Sequence, residues 1–137
     1  MKESGFVKAV CRLLPGDVYQ QGMAAGAFGS NGTPDRYFDY RKELWVEFKM
    51  ATSHGSRGYN VGDGENSMLS GLQKAWLCRR WRAGRNACVI VGVPSDHTRG
   101  FVLDTPNEWM GVVKPETFIP RLKYAPELAA YILSRVS

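Results

Sequence analysis

The sequence predicts one domain of mixed α-helices and β-strands, with a β-hairpin beside a helix–strand crossover. Three observations carry this prediction. The 137 residues are enough for one hydrophobic core and show no internal repeat or linker. Residues 44–50 have the two-residue alternation of a half-buried strand. Residues 87–93 form a continuous apolar run after a helical segment, which is typical of a buried strand.

The N-terminal part is predicted to contain a helix, a short strand and a turn. Apolar side chains recur at helical spacing over residues 5–14, and Pro15-Gly16 ends the helix. A short strand is expected near residues 18–19. The glycines of residues 22–32 then predict a loop or an irregular turn.

The predicted hairpin joins residues 37–40 to residues 44–50 through a polar turn. In the second strand every other residue is apolar and points to the core. The opposite face carries Trp45, Glu47 and Lys49, which places a carboxylate and an ammonium group side by side.

The middle of the chain is predicted to be a long flexible loop followed by a helix. Residues 52–67 contain four glycines and almost no aliphatic side chains. The helix is expected from residue 69 or 70 to residue 83, with Gly84 at the position that glycine favours after a helix end. Its predicted apolar stripe consists of Leu72, Trp76, Leu77 and Trp81.

The C-terminal part is predicted to hold one strand and one helix. Residues 100–104 read as a late strand at an edge of the sheet, and residues 106–120 as irregular, with Trp109 and Met110 packed. Pro126 opens the last helix at its first position. The apolar face of that helix is Leu128, Ala129, Ile132, Leu133 and Val136.

Composition excludes several classes of protein. A formal net charge of +5 favours a polyanionic partner such as nucleic acid or an anionic membrane. No apolar run approaches the roughly 18 residues of a membrane span, and no signal peptide is expected. Cys11, Cys78 and Cys88 lack CxxC spacing, so neither a zinc site nor a disulfide framework is indicated. A reduced, cytoplasmic setting without membrane association fits best.

Charged residues on the hairpin predict a metal-binding site. Asp35 enters the first strand and Glu47 lies near the end of the second, so the turn folds both carboxylates toward one end of the sheet. Together with the main-chain carbonyl of Phe48, they can hold a hard cation such as Mg²⁺. Lys49 can polarise a water and offset charge on a phosphate. These groups are sufficient in kind for metal-assisted phosphodiester hydrolysis.

The order of these residues resembles a nuclease superfamily. Pro34-Asp35 followed by Glu47-Phe48-Lys49 is similar to the PD-(D/E)xK motif. The wider pattern resembles the VRR-NUC (virus-type replication-repair nuclease) branch over about residues 3–93, which leaves residues 94–137 as a C-terminal extension. The matching segments are residues 31–35, 44–49, 69–77 and 89–93.

The resemblance implies an α/β fold with a restriction-endonuclease-like core, a central mixed β-sheet flanked by helices. It also implies DNA cleavage with Mg²⁺ or Mn²⁺. It assigns the metal-binding carboxylates to Asp35 and Glu47, the catalytic lysine to Lys49 and a helix glutamine to Gln73. Glu3 is the candidate for the family's first-helix glutamate, a further metal ligand.

Some of these residues also have a purely structural interpretation. Taken alone, Asp35 fits a turn, and Glu47 with Lys49 fits a solvated strand face. Gln73 fits a capping box that begins at Ser70, so a cap, an active-site role or both remain open.

Candidate DNA contacts lie in the loop and on the helix after it. His54, Arg57 and Tyr59 would touch DNA by charge and stacking if the loop closes over it, with simple solvent exposure as the alternative. On the helix, phosphate contact competes with a solvated face for Lys74, Arg79, Arg80 and Arg82.

The function expected from the sequence is a Mg²⁺-dependent DNA endonuclease. We expect it to act on branched DNA in phage replication, recombination or repair, and a homodimer would let two active sites meet two strands. One alternative is a monomeric nickase or a flap or single-strand nuclease. The other is a non-catalytic DNA-binding protein on the same scaffold.

Overall fold

The computed structural model describes residues 1–22 and 32–137. Most of the turn predicted at residues 22–32 therefore lies outside the described residues. The helices are α1 (Glu3–Cys11), α2 (Gly71–Gly84), α3 (Pro106–Trp109), α4 (Pro115–Phe118) and α5 (Ala125–Val136), with a 3-10 turn at Ile119–Arg121. The strands are β1 (Tyr19–Gly22), β2 (Arg36–Asp39), β3 (Glu43–Met50), β4 (Tyr59–Asn60), β5 (Ala87–Gly92), β6 (Arg99–Leu103), β7 (Val112–Val113) and β8 (Lys123–Tyr124).

A six-stranded mixed sheet forms the centre of the fold. Its strand order is β1-β2-β3-β5-β6-β8. β3 and β5 are parallel, whereas the other neighbouring pairs are antiparallel. Parallel neighbours need a long connection, and α2 lies within it. The hairpin beside a helix–strand crossover, and the central mixed sheet flanked by helices, are thus confirmed.

Apolar side chains cover both faces of this sheet. On one face α1 and α5 contribute Phe6 and Ile132, which are fully buried with Phe48 of β3. On the other face Leu77 of α2 and Trp109 of α3 are fully buried. Because β5 is covered on both sides, all six of its residues are buried, as its apolar run predicted.

The two helices nearest the site differ from prediction in detail. α1 begins at Glu3 and ends at Cys11, not at residues 5 and 14. α2 includes Gly84, and the left-handed residue after it is Arg85, at φ 55°. Leu72 is 58% exposed because its neighbour Gln73 faces β3, so its place in the apolar stripe was wrong. Over residues 1–22 and 32–137, no helix has the length and apolar character needed to cross a membrane.

The C-terminal part is more regular than predicted. Residues 106–120 contain α3, β7 and α4, and Trp109 is buried as expected. Met110 is 41% exposed, so its predicted packing was wrong. β8 pairs with the start of β6, so this end of β6 is not a bare edge. Residues 94–137 thus supply two strands of the main sheet, and α5 packs on α1 and β3.

The segment at residues 52–67 is anchored, which corrects the prediction of a flexible loop. β4 pairs with β7, and both Tyr59 and Val61 are buried. A Cβ on Gly62 would lie 2.1 Å from the carbonyl oxygen of Trp109, so the backbone approaches α3 as closely as glycine allows. Burial of Tyr59 and Val61 therefore fixes a segment whose many glycines predicted flexibility.

We predict that Tyr59→Ala destabilises the protein by about 3 kcal/mol, the order seen when a buried aromatic side chain is truncated. Its ring packs against those of Phe101 and Phe118, and its hydroxyl donates to the Ser53 carbonyl at 2.7 Å. The matched control Leu72→Ala should change stability by less than about 0.5 kcal/mol, because that side chain is exposed. Urea unfolding measures both, and equal costs would contradict the anchored segment.

Candidate active site

Asp35 and Glu47 meet where β2 begins and β3 approaches its end. Arg36 pairs with Val46 in the antiparallel register. Asp35, just before β2, therefore lies opposite Glu47 of β3. The Asp35 main-chain N–H donates to Glu47 Oε1 at 3.2 Å. In return, the Phe48 N–H donates to Asp35 Oδ2 at 3.2 Å. The two carboxylates are thus fixed by the same backbone that forms the hairpin.

A close approach of the backbone brings α2 to the same point. Gly32 has φ +77°, and a Cβ there would lie 2.2 Å from the Leu72 carbonyl oxygen. Glycine is required for both reasons, since other residues avoid this φ and would clash. The chain therefore enters β2 against the first turn of α2, which places Asp35 and Gln73 beside one carboxylate.

Glu47 is the one charged side chain that is buried in the described part of the chain, with 1% of its surface exposed. Its Oε2 accepts from Gln73 Nε2 at 3.1 Å and lies 3.4 Å from the Lys49 ammonium. Burial, followed by the nearby Asp35 charge, raises the pKa of Glu47 to about 8, although Lys49 opposes the shift. The solvated strand face considered for Glu47 is therefore wrong.

Gln73 both caps α2 and contacts the site. Ser70 Oγ accepts from the Gln73 N–H at 3.1 Å, and Gln73 Oε1 accepts from the Ser70 N–H at 2.9 Å. This is the reciprocal capping box, and it leaves the amide nitrogen free to donate to Glu47. The cap fixes the orientation of the amide. The Gln73 side chain therefore caps α2 and contacts Glu47 at the same time.

Glu3 joins the cluster from the first turn of α1. Its Oε2 accepts from the Met50 N–H at 3.3 Å. Burial raises the pKa of Glu3, as does the charge of Asp35, while Lys49 lowers it. The pKa of Asp35 is also raised, chiefly by burial. Three acidic side chains thus surround the Lys49 ammonium, and the Arg36 guanidinium also lowers the pKa of Asp35 in part.

The aromatic wall beside Glu47 was not assigned to the site from the sequence. Trp45 lies on the same face of β3, two residues before Glu47, and its ring centroid is 5.0 Å from that of Trp76 and 4.6 Å from that of Tyr37. These three rings therefore form an aromatic cluster on the face of β3 that carries Glu47. The alternation of β3 already placed Trp45 on this face.

The donor set fits a hard divalent cation. In the described residues no group of three or more His, Cys, Asp and Glu side chains is placed to hold a metal ion. Mg²⁺ needs fewer, since it is usually bound through one or two carboxylates and keeps several waters. The Phe48 N–H faces Asp35, and its carbonyl points to the same side of the strand. Asp35, Glu47 and this carbonyl supply only oxygen ligands, the kind that a hard dication prefers.

Of the predicted DNA contacts, four side chains are free to reach a ligand. His54 and Arg57 are exposed in the anchored segment, and Arg79 and Arg82 are exposed on α2.

Three other predicted contacts have structural roles instead. Tyr59 is buried, so its ring is not available for stacking on a base. The Lys74 ammonium donates to the carbonyls of Gly62 and Gly64 at 3.2 and 3.1 Å and so ties the 52–67 segment to α2. The Arg80 Nε donates to Asn86 Oδ1 at 3.0 Å beyond the helix end.

Comparison with solved structures identifies a similar fold. Hjc, a Holliday junction resolvase from the archaeal hyperthermophile Archaeoglobus fulgidus, superposes with a TM-score of 0.57 over 95% of this chain and 97% of that chain. The two proteins share a fold. Their sequences are 17% identical, so the likeness concerns the fold alone. The restriction-endonuclease-like architecture predicted from the sequence is confirmed. No protein-family model and no curated protein matches the chain.

The raised pKa of Glu47 makes stability depend on pH. An unperturbed Glu has a pKa of 4.5, whereas folded Glu47 titrates near 8. Between these values the folded state holds a proton that the unfolded state has released, so the stability of the metal-free protein falls as pH rises. We predict a fall approaching about 1.4 kcal/mol per pH unit, the limit for one proton.

Glu47→Gln should flatten this slope and raise stability at pH 8. The matched control Glu65→Gln removes an exposed carboxylate and should leave the slope unchanged. Urea unfolding at pH 5, 6.5 and 8 measures the difference. A slope that survives Glu47→Gln would contradict the assignment of this proton to Glu47.

Proposed function

We propose that this chain is a metal-dependent endonuclease of the PD-(D/E)xK type, resembling the VRR-NUC branch, and that it hydrolyses phosphodiester bonds in DNA. One observation carries the proposal. Asp35 and Glu47 are hydrogen-bonded across the ends of β2 and β3, and the Lys49 ammonium lies 3.4 Å from Glu47. Two carboxylates and a lysine in this order are the parts that metal-assisted hydrolysis needs.

Each residue of the site has a separate task in this proposal. Asp35, Glu47 and the Phe48 carbonyl hold Mg²⁺ or Mn²⁺, with Glu3 as a further carboxylate at the edge. The bound ion supplies Lewis-acid activation of water and of the phosphate. Lys49 is partly exposed, so its ammonium can hydrogen-bond the attacking water or the phosphate oxygens. Gln73 positions Glu47 through its amide.

We further propose that the substrate is branched or distorted DNA rather than one sequence. Hjc is a Holliday junction resolvase and has the same fold. Phosphate contacts by exposed side chains such as Arg57, Arg79 and Arg82 position DNA without reading its sequence. A homodimer would present two active sites to two strands of a junction, and phage replication, recombination or repair is a natural setting.

The cost of burying Glu47 favours catalysis over a non-catalytic scaffold. A carboxylate whose pKa is raised by burial destabilises the folded protein at neutral pH. A protein that only bound DNA would gain stability by replacing it. Retaining this carboxylate beside Asp35 and Lys49 is therefore consistent with an enzyme.

We predict faster cleavage of a four-way junction than of a linear duplex built from the same strands. Cleavage should require Mg²⁺ and stop in EDTA. Lys49→Ala should lower the rate by about 100-fold or more, the range for removing a proton-transfer or charge-stabilising group. Gel analysis of end-labelled strands measures each rate.

The matched control is Lys42→Ala, which removes an exposed lysine at the turn between β2 and β3, the opposite end of the hairpin from Asp35 and Glu47, and should leave cleavage unchanged. Equal rates on both substrates, or cuts confined to one short sequence, would contradict shape selectivity. Wild-type turnover by Lys49→Ala would remove the catalytic assignment.

A further inference from the structure

A pocket of about 350 Å³ opens beyond the ends of the parallel strands β3 and β5. Met50, the residue after Lys49, forms one wall. Phe6 forms another, from the same helix that carries Glu3. The crevice outside the carboxyl ends of parallel strands is where α/β folds commonly bind ligands. The pocket is therefore lined by β3 and α1, the two segments that also carry Glu47 and Glu3.

Arg99 lines this pocket without a partner. It is the first residue of β6 and is half-buried. Its Nε is enclosed and has no hydrogen-bond partner among the described residues. None of the three ion pairs found within those residues includes Arg99. A buried donor on a permanently charged guanidinium is costly to leave unsatisfied, so a polar or anionic partner would stabilise this position.

The remaining lining is suited to an oxyanion. Thr52, Ser95 and Thr98 supply hydroxyl groups, and His97 supplies a ring nitrogen. No Asp or Glu is among the lining residues of the described chain. Hydroxyl and guanidinium donors are the groups that contact phosphate oxygens in nucleic-acid complexes. The apolar walls of Phe6 and Met50 suit a sugar more than an isolated ion.

The place of the pocket relative to Lys49 bears on which phosphate of a bound DNA strand it would hold. Lys49 would face the bond that is cut, and the Met50 main chain, whose N–H donates to Glu3, leads from the carboxylate cluster to the pocket. A DNA strand that lies across Lys49 must continue either toward this pocket or away from it. Resting on the proposed nuclease function, we propose that Arg99 binds a phosphate of the cleaved strand next to the scissile one, so that the pocket is a second subsite that holds the strand in register.

Arg99→Gln tests this proposal, because it removes the charge and keeps a hydrogen-bonding side chain. Arg12→Gln is the matched control, since Arg12 is an exposed arginine after α1 and outside the pocket. Binding of labelled four-way junction DNA is measured by fluorescence anisotropy in EDTA at several salt concentrations. We expect about tenfold weaker binding for Arg99→Gln and a salt slope reduced by about 0.9, the value for one phosphate contact. Arg12→Gln should leave both unchanged.

Two substrate changes identify the phosphate. In one series a single uncharged methylphosphonate is moved along the cleaved strand, and in the other the 5′-terminal phosphate is removed. We expect one internal methylphosphonate that weakens wild-type binding and has no effect on Arg99→Gln. The same pattern confined to the terminal phosphate would overturn the internal position. That result would mean that the pocket binds the phosphate at the 5′ end of a DNA strand.

Arg99→Lys separates binding from a role in the fold. Lysine keeps the charge, so most of the affinity and the salt slope should be retained. Unchanged affinity and slope in Arg99→Gln would overturn the proposal, as would an equal loss in Arg99→Lys together with an unchanged salt slope. Because binding is read without metal, a protein that shows the Arg99 effect but never cuts DNA would contradict the nuclease proposal alone.

Discussion

The buried Glu47 carboxylate is the constraint on which the arrangement of the site depends. Its hydrogen bonds come from the main chain before β2 and from Gln73 on α2, and its ion pair comes from Lys49 on its own strand. Removing any of these partners would leave a buried polar group less satisfied, which is costly. The hairpin and the crossover helix must therefore meet at one point, and Gly32 permits that meeting by passing against the Leu72 carbonyl.

The same constraint links structure to chemistry. Burial and the neighbouring charge of Asp35 raise the pKa of Glu47, and Glu3 adds a third carboxylate to a cluster with one ammonium group. Burial of these acids disfavours their charged forms, and a bound dication would favour them. Stability is commonly reduced where function requires it. The unpartnered Arg99 nearby is the opposite case, a cation that lacks its anion among the described residues.

Short sequence patterns correctly predicted those elements whose structure depends mainly on residues close in the sequence. The alternation of β3, the apolar run of β5 and the capping box at Ser70 all follow from nearest-neighbour geometry, and they located Glu47, Lys49 and Gln73. Tyr59 was misplaced because its burial depends on pairing between β4 and β7, which lie about fifty residues apart. The isolation of Arg99 likewise depends on what the fold places around it, which no sequence window contains.

The most direct test of the central claim is calorimetric titration of Mn²⁺ at pH 6.5 in two buffers of different ionisation enthalpy. Glu47 titrates near 8, so at this pH it carries a proton that a bound cation must displace. We predict binding with release of about one proton per ion, retention of that binding in Lys49→Ala, and loss of the proton release in Glu47→Gln. Absence of Mn²⁺ binding to the wild-type protein, or binding without proton release, would contradict a metal site built on a buried, protonated Glu47.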